Sequence, residues 1–144
     1  MEKKLKTYSD GGARGNPGPA AAAYLIMTDT GEVLDAGSRF LGKRTNNQAE
    51  YEALIFALET AENLGAEEVI CHLDSELVGK HLTGKYKVKN PELKKLWNKT
   101  QQLTRRFKKV TFVNVSRTDS YIVKADELVN EILDETTKKQ AMKI

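Results

Sequence analysis

Residues 4–19 restrict the fold more than any other stretch of this 144-residue chain. Lys4-Leu5-Lys6-Thr7-Tyr8 alternates polar and apolar side chains with the period of a half-buried β-strand, and runs on to the carboxylate of Asp10. Gly11, Gly12, Gly15 and Gly18 follow, with Pro17 and Pro19 among them. Glycine permits positive φ and close backbone approach, so the chain is expected to turn here. An acid at the carboxyl end of a strand, beside exposed backbone amides, suits a metal ion and a phosphate. Taken alone, a tight turn that contains an aspartate explains it equally well.

The apolar run Ala20–Thr28 fits helix or strand by period. The Asp29-Thr30-Gly31 turn and the extended segment 32–41 make a β-hairpin the better reading. Thr45 or Asn46 is expected to cap a helix that ends near Leu64, with Gly65 as its stop. Val69–Asp74 reads as a buried strand, again ending at an acid. Ser75 caps a short helix to about Leu82, and Pro91 opens another through about Phe107. Val110–Val115 is a fifth strand, and a helix over 123–138 closes the chain. The order β-β-β-α-β-α-α-β-α predicts an α/β fold: a mixed sheet covered by helices, in a single domain over 1–138. Residues 139–144 are expected to be a frayed tail.

The formal net charge of +3 hides a segregation. Residues 80–109 hold eleven lysines and arginines against Glu92 alone, so this segment is +10 and the remainder −7. A solvated face normally mixes both signs; separation on this scale favours a polyanion-binding surface, nucleic acid above all. Cys71 is the single cysteine, which excludes an internal disulfide and argues against a zinc cluster. The opening Met1-Glu2-Lys3-Lys4 lacks a signal-peptide core, and the longest apolar run, 20–27, is too short to span a bilayer. These features predict a cytoplasmic protein with no membrane association.

Four acids point to one place. At about 100° per residue, Ala57 and Ala61 lie within roughly 20° of Glu50 around the helix, and Leu54 and Leu64 within roughly 40°. Glu50 therefore interrupts an apolar stripe, where a carboxylate must be paired, neutralised or bound to metal. Asp10 and Asp74 each end a strand; as parallel neighbours they would lie about one strand spacing apart. Asp126 falls on the border of the last helix's apolar stripe, roughly 20° from Leu133. A favourable charge near the helix N-terminus explains Asp126 as well as a ligand role does. Clustered carboxylates repel one another, and divalent cations with oxygen preference, Mg²⁺ or Mn²⁺, resolve this. Two such ions about 3.5–4 Å apart suit phosphodiester hydrolysis. With a basic surface nearby, the residues point to a metal-dependent nuclease of unspecified substrate.

At this point the sequence resembles type 1 ribonuclease H. Tyr8-Ser9-Asp10-Gly11-Gly12-Ala13 with Gly15-Asn16-Pro17-Gly18-Pro19 is similar to that family's opening motif. Thr45-Asn46-Asn47-Gln48-Ala49-Glu50 resembles its T-N-N-x-x-E, Leu73-Asp74-Ser75 its second aspartate motif, and Ala125-Asp126-Glu127-Leu128-Val129 its final one. The resemblance implies the ribonuclease H-like five-stranded sheet, three strands antiparallel and two parallel. It implies an endonuclease that cuts the RNA strand of RNA–DNA hybrids, leaving 5′-phosphate and 3′-hydroxyl ends. Asp10, Glu50, Asp74 and Asp126 would hold two Mg²⁺, with Mn²⁺ able to substitute. Gly11 and Gly12 would follow the RNA backbone, with Asn16 in the same turn. Asn46 and Asn47 would meet the two strands, and Thr45 a DNA phosphate.

Departures from the family pattern fall at two places. Many bacterial members carry a histidine ten residues before the last aspartate; here that position is Ser116. Archaeal-like members lack it and have an arginine nearby, which Arg117 resembles. Asparagine is common four before the last aspartate, where this chain has Ile122, and the loop 116–123 is about two residues longer than the pattern. The long basic insertion of bacterial members is replaced by the short segment 82–91, so Lys85, Lys87 and Lys89 are expected to meet phosphate instead. His72 and His81 lack metal-ligand spacing and are assigned to structure. A monomer without an obligate protein partner is expected. Two alternatives stand beside this reading: another nuclease of the same superfold, cutting double-stranded RNA or junctions, and a catalytically silent nucleic-acid-binding domain.

Overall fold

The computed structural model describes residues 3–142. Its elements are β1 (Lys4–Ala13), β2 (Gly18–Thr28), β3 (Val33–Arg44), α1 (Asn46–Asn63), β4 (Glu68–Leu73), α2 (Glu76–Leu82), α3 (Pro91–Thr104), β5 (Lys109–Asn114) and α4 (Ser120–Met142). The strands form one sheet in the order β3-β2-β1-β4-β5. β3, β2 and β1 pair antiparallel, and β4 and β5 add to β1 in parallel. This is the mixed sheet that the element order predicts.

Helices cover both faces. α1 and α3 enclose one core with Leu5, Tyr24, Ile26, Val69 and Cys71; α4 closes the other over Tyr8, Ala21, Ala23, Leu25 and Met27. β2 is therefore buried on both sides, its alternate residues feeding different cores. That is why its run reads as continuously apolar and fits either period. Cys71 is free and buried, and burial pushes its thiol up to about 12. Among the described residues no helix is long and apolar enough to cross a membrane.

The cap of α1 follows the sequence. Thr45 accepts from Gln48 N, and the Gln48 side chain accepts from Thr45 N, a reciprocal capping box that fixes where the helix starts. Gly65 takes φ +83° just past the last turn.

The early strand and two helices differ from expectation. β1 does not stop at Asp10: β2 carries the antiparallel pairing on through Asp10↔Ala23 to Ala13↔Ala20, whereas the parallel pairing with β4 ends at Tyr8↔His72. Of the four early glycines only Gly15 needs positive φ, at +91°. α3 ends at Thr104, and Phe107 turns into the core instead of extending the helix. α4 begins at Ser120, because Asp119 Oδ1 accepts from the Tyr121 and Ile122 amides and starts it early. Residues 139–142 of the expected tail are helical; Lys143 and Ile144 lie outside the described residues, as do Met1 and Glu2.

Candidate active site

The β1–β4 register, Lys4↔Glu68 through Tyr8↔His72, when continued two residues sets Asp10 beside Asp74. Both lie just past the last parallel pair, where an open sheet leaves a crevice. Glu50 comes from the second turn of α1. It reaches the sheet because α1 crosses β1 at backbone contact distance: a Cβ on Gly11 would lie 2.1 Å from the Ala49 carbonyl oxygen. In that space the Gly11 amide donates to Glu50 Oε1 at 2.5 Å. One carboxylate oxygen from each of Asp10, Glu50 and Asp74 lies within 4.8 Å of the other two.

The cluster is electrostatically costly. Asp10 is 8% exposed, and its carboxyl is pushed up to about 8, first by burial and then by the charges of Asp74 and Asp126. Burial and the Asp10 charge raise Glu50 well above the usual carboxylate range, against the lowering effect of the Gly11 amide. Asp74 Oδ1 is buried with no hydrogen-bond partner among the described residues. A buried acceptor without a donor and several close carboxylates form a donor set that fits a divalent cation.

The acids line a cleft of about 1070 Å³ together with Asn46, Ser116, Arg117, Asn114 and Asp126. Asp126 stands in the second turn of α4, beyond the reach of the helix dipole, so a simple dipole explanation fails for it. Ile122, in place of the common asparagine, is 1% exposed and belongs to the α4 core. The loop before it is shorter than expected, spanning 115–119, since the next residues are helix.

The sequence model of a family described as "Reverse transcriptase-like" matches residues 8–132. Ribonuclease HI of Halobacterium salinarum is 38% identical over 92% of this chain, which spans 65% of that protein. The crystal structure of its RNase H1 superposes with a TM-score of 0.88, covering 92% of this chain and 98% of that one. The chain belongs to the type 1 ribonuclease H family. The N-terminal RNase H domain of a Mycobacterium tuberculosis protein, solved as a maltose-binding-protein fusion, gives 0.91 at 36% identity, over 96% of this chain and 99% of that one. LC11-RNase H1, solved in complex with an RNA/DNA hybrid, gives 0.87 at 40% identity, over 92% and 99%. The chain spans about two thirds of the halobacterial protein and 38% of the full mycobacterial one.

Around the acids, the other sequence-predicted residues are placed unevenly. Asn46 Oδ1 accepts from Ala13 N, and Asn46 N donates to Asn16 Oδ1, which ties the α1 start to the β1–β2 turn. Asn47 and Thr45 are half-buried beside them, and Gly11 lies in the cleft lining. Lys85, Lys87 and Lys89 are exposed in the α2–α3 connection, away from the cleft lining. His81 bonds Tyr51 and His72 bonds the Thr7 carbonyl, in keeping with structural roles.

Two asparagines carry no signal in the sequence. Asn114 Nδ2 donates to the carbonyls of Leu73 and Ser75, the residues that flank Asp74. Its oxygen rests against Gly79, where a Cβ would meet it at 2.0 Å. Asn130 contacts Asp126. A strand-end or mid-helix asparagine has no periodicity that sequence reasoning could use.

Proposed function

We propose that this ribonuclease H is an endoribonuclease that hydrolyses the RNA strand of RNA–DNA hybrids, leaving 5′-phosphate and 3′-hydroxyl ends. Asp10, Glu50, Asp74 and Asp126 would hold two Mg²⁺, for which Mn²⁺ can substitute. The observation that carries the reading is the cluster of Asp10, Glu50 and Asp74 carboxylates within 4.8 Å at the end of the parallel strands, with Asp126 in the lining of the same cleft. The hybrid-bound relative of the same fold supports the substrate class. When bound, divalent ions would neutralise the clustered carboxylates and make a water easier to deprotonate.

The chain's own groups do the placing. Glu50 is fixed by the Gly11 amide, so its other oxygen stays available to the cleft. Asn46 and Asn16 spend their side-chain oxygens on internal bonds, which leaves each Nδ2 to donate outward to a nucleic-acid backbone. The Thr45 hydroxyl accepts from Gln48 N and retains its own proton for a phosphate oxygen. Contacts of this kind set position without reading bases; a ribose 2′-hydroxyl near Glu50 is what separates RNA from DNA. The protein would act as a monomer in the cytoplasm, a setting supported by its single free, buried thiol.

Matched RNA–DNA, RNA–RNA and DNA–DNA duplexes, each with Mg²⁺ or EDTA, test this. Cleavage is expected for the RNA strand of the hybrid alone and only with Mg²⁺. Intact hybrid would sink the proposal, and cut RNA–RNA would move it to a broader nuclease. For the exposed lysines, changing Lys85, Lys87 and Lys89 together to Gln should weaken hybrid binding and lower the slope of log K against log salt by about 2 to 3. An unchanged slope assigns all three to solvent.

A further inference from the structure

Three of the four acids are held by surroundings that leave them little freedom: Asp10 is buried in the sheet, Glu50 is bonded to Gly11 and Asp74 lies between carbonyls bound by Asn114. Asp126 differs, because it stands on an exposed stretch of α4. An unrestrained aspartate there samples several rotamers, which a precise ligand position does not tolerate.

Asp126, Asn130 and Asp134 are spaced by four and therefore stack along one face of α4. Asn130 Nδ2 donates to Asp126 Oδ2 at 3.3 Å and to the Asp126 carbonyl at 3.1 Å. At the other end of the same amide, Arg14 Nη2 donates to Asn130 Oδ1 and to its carbonyl, both at 3.4 Å. Arg14 Nη2 also pairs with Asp134 Oδ1 at 2.7 Å. The guanidinium beside Oδ1 and the carboxylate beside Nδ2 both favour one orientation of the Asn130 amide. Arg14 itself opens the β1–β2 turn, where its backbone amide donates to the Pro19 carbonyl.

We infer that Asn130 is a positioning residue for Asp126, and that Arg14 holds Asn130 in the orientation that does this. The inference rests on the metal reading of the four acids given above. With Oδ2 engaged by Asn130, Asp126 keeps Oδ1 for a cation. Arg14 and Asp134 are both substantially exposed, and exposed pairs contribute little to stability, so the arrangement sets geometry and leaves overall stability nearly untouched.

The test titrates nucleic-acid-free protein with Mn²⁺ by calorimetry and measures hybrid cleavage in parallel. Asn130→Ala and the near-isosteric Asn130→Leu should each weaken Mn²⁺ binding and lower kcat by about tenfold, the usual scale for a lost hydrogen bond to a metal ligand. KM for the hybrid should stay within about twofold, since no substrate contact is removed. Asn130→Gln, which keeps an amide donor, should recover part of both losses. Melting temperature in EDTA should move by less than about 3 °C. If Arg14 works through Asn130, the double variant Arg14→Ala, Asn130→Ala should lose no more Mn²⁺ affinity than Asn130→Ala alone.

Unchanged Mn²⁺ affinity in Asn130→Ala would overturn the inference, as would an affinity loss that simply tracks a fall in melting temperature. Additive losses in the double variant would remove Arg14 from it. Wild-type protein that binds Mn²⁺ but leaves the hybrid intact would instead defeat the proposed activity, so the two failures are distinguishable.

Discussion

Asp10→Asn is expected to abolish hybrid cleavage and, in metal-free buffer above pH 8, to raise the melting temperature by about 10 to 20 °C. Both effects come from one property of the site. Asp10 is 8% exposed among other acids, and its carboxyl is held at about 8 in the folded chain, against 3.8 as its ordinary value. A carboxyl with a raised folded value binds its proton more tightly folded than unfolded. Its contribution favours folding below about pH 4 and is lost as pH climbs through about 8. Each tenfold gain in proton affinity on folding corresponds to about 1.4 kcal/mol, so the metal-free protein carries a penalty on the order of 6 kcal/mol once Asp10 ionises. Asparagine keeps the shape and removes the charge.

The melting difference between variant and wild type should therefore be largest near pH 9 and shrink toward zero by pH 4. Mg²⁺ should narrow it at pH 9 by stabilising the wild type in proportion to occupancy. Differential scanning calorimetry in EDTA and in Mg²⁺ makes the comparison. Equal melting temperatures at pH 9 in EDTA would mean that the cluster is not under electrostatic strain and would remove the main physical argument for a cation. A variant that still cuts would refute the ligand role of Asp10 itself.

The acids are legible in the sequence because each breaks a local rule. Glu50 sits in an apolar stripe of period 3.6, Asp74 directly follows a strand that buries every other residue, and Asp10 breaks the alternation that Lys4 to Tyr8 begin. Capping chemistry at Thr45 and Ser75 is equally local, and both caps are present. What cannot be read depends on partners distant in sequence. β1 runs past Asp10 only because β2 offers pairing as far as Ala20. Asn114 reaches residues about 40 positions away, and Arg14 reaches Asn130 across 116. The early start of α4 is hidden for another reason: Asp119 is an ordinary N-cap, but Ile122 and Val123 read as loop residues when measured against the family pattern. In the structure Ile122 serves the α4 core, and that packing draws the helix forward.

Of the two freedoms that glycine offers, Gly11 uses close backbone approach and not positive φ. Its backbone φ is not positive; what it supplies is space. An added Cβ would lie 2.1 Å from the Ala49 oxygen, 2.3 Å from the Ala49 carbonyl carbon and 2.7 Å from the Glu50 nitrogen. All three are backbone atoms of α1, and none can rotate away as a side chain would. Gly11→Ala must therefore push α1 off β1, which opens the core shared by Leu54, Ala57 and Leu58 and stretches the bond from Gly11 N to Glu50. The expected cost is about 3 kcal/mol or more in chemical denaturation. Cleavage by the protein that remains folded should fall about a hundredfold, the penalty for displacing a catalytic group by about 1 Å. Gly12→Ala is the control for stability: its Cβ would meet only Val129 Cγ1, at an ordinary 3.8 Å, so its folding free energy should stay within about 0.5 kcal/mol of wild type. If both variants were equally stable, α1 would not be pinned to β1 at this point. Glu50 would then owe its place to the rest of the helix and not to the glycine beneath it.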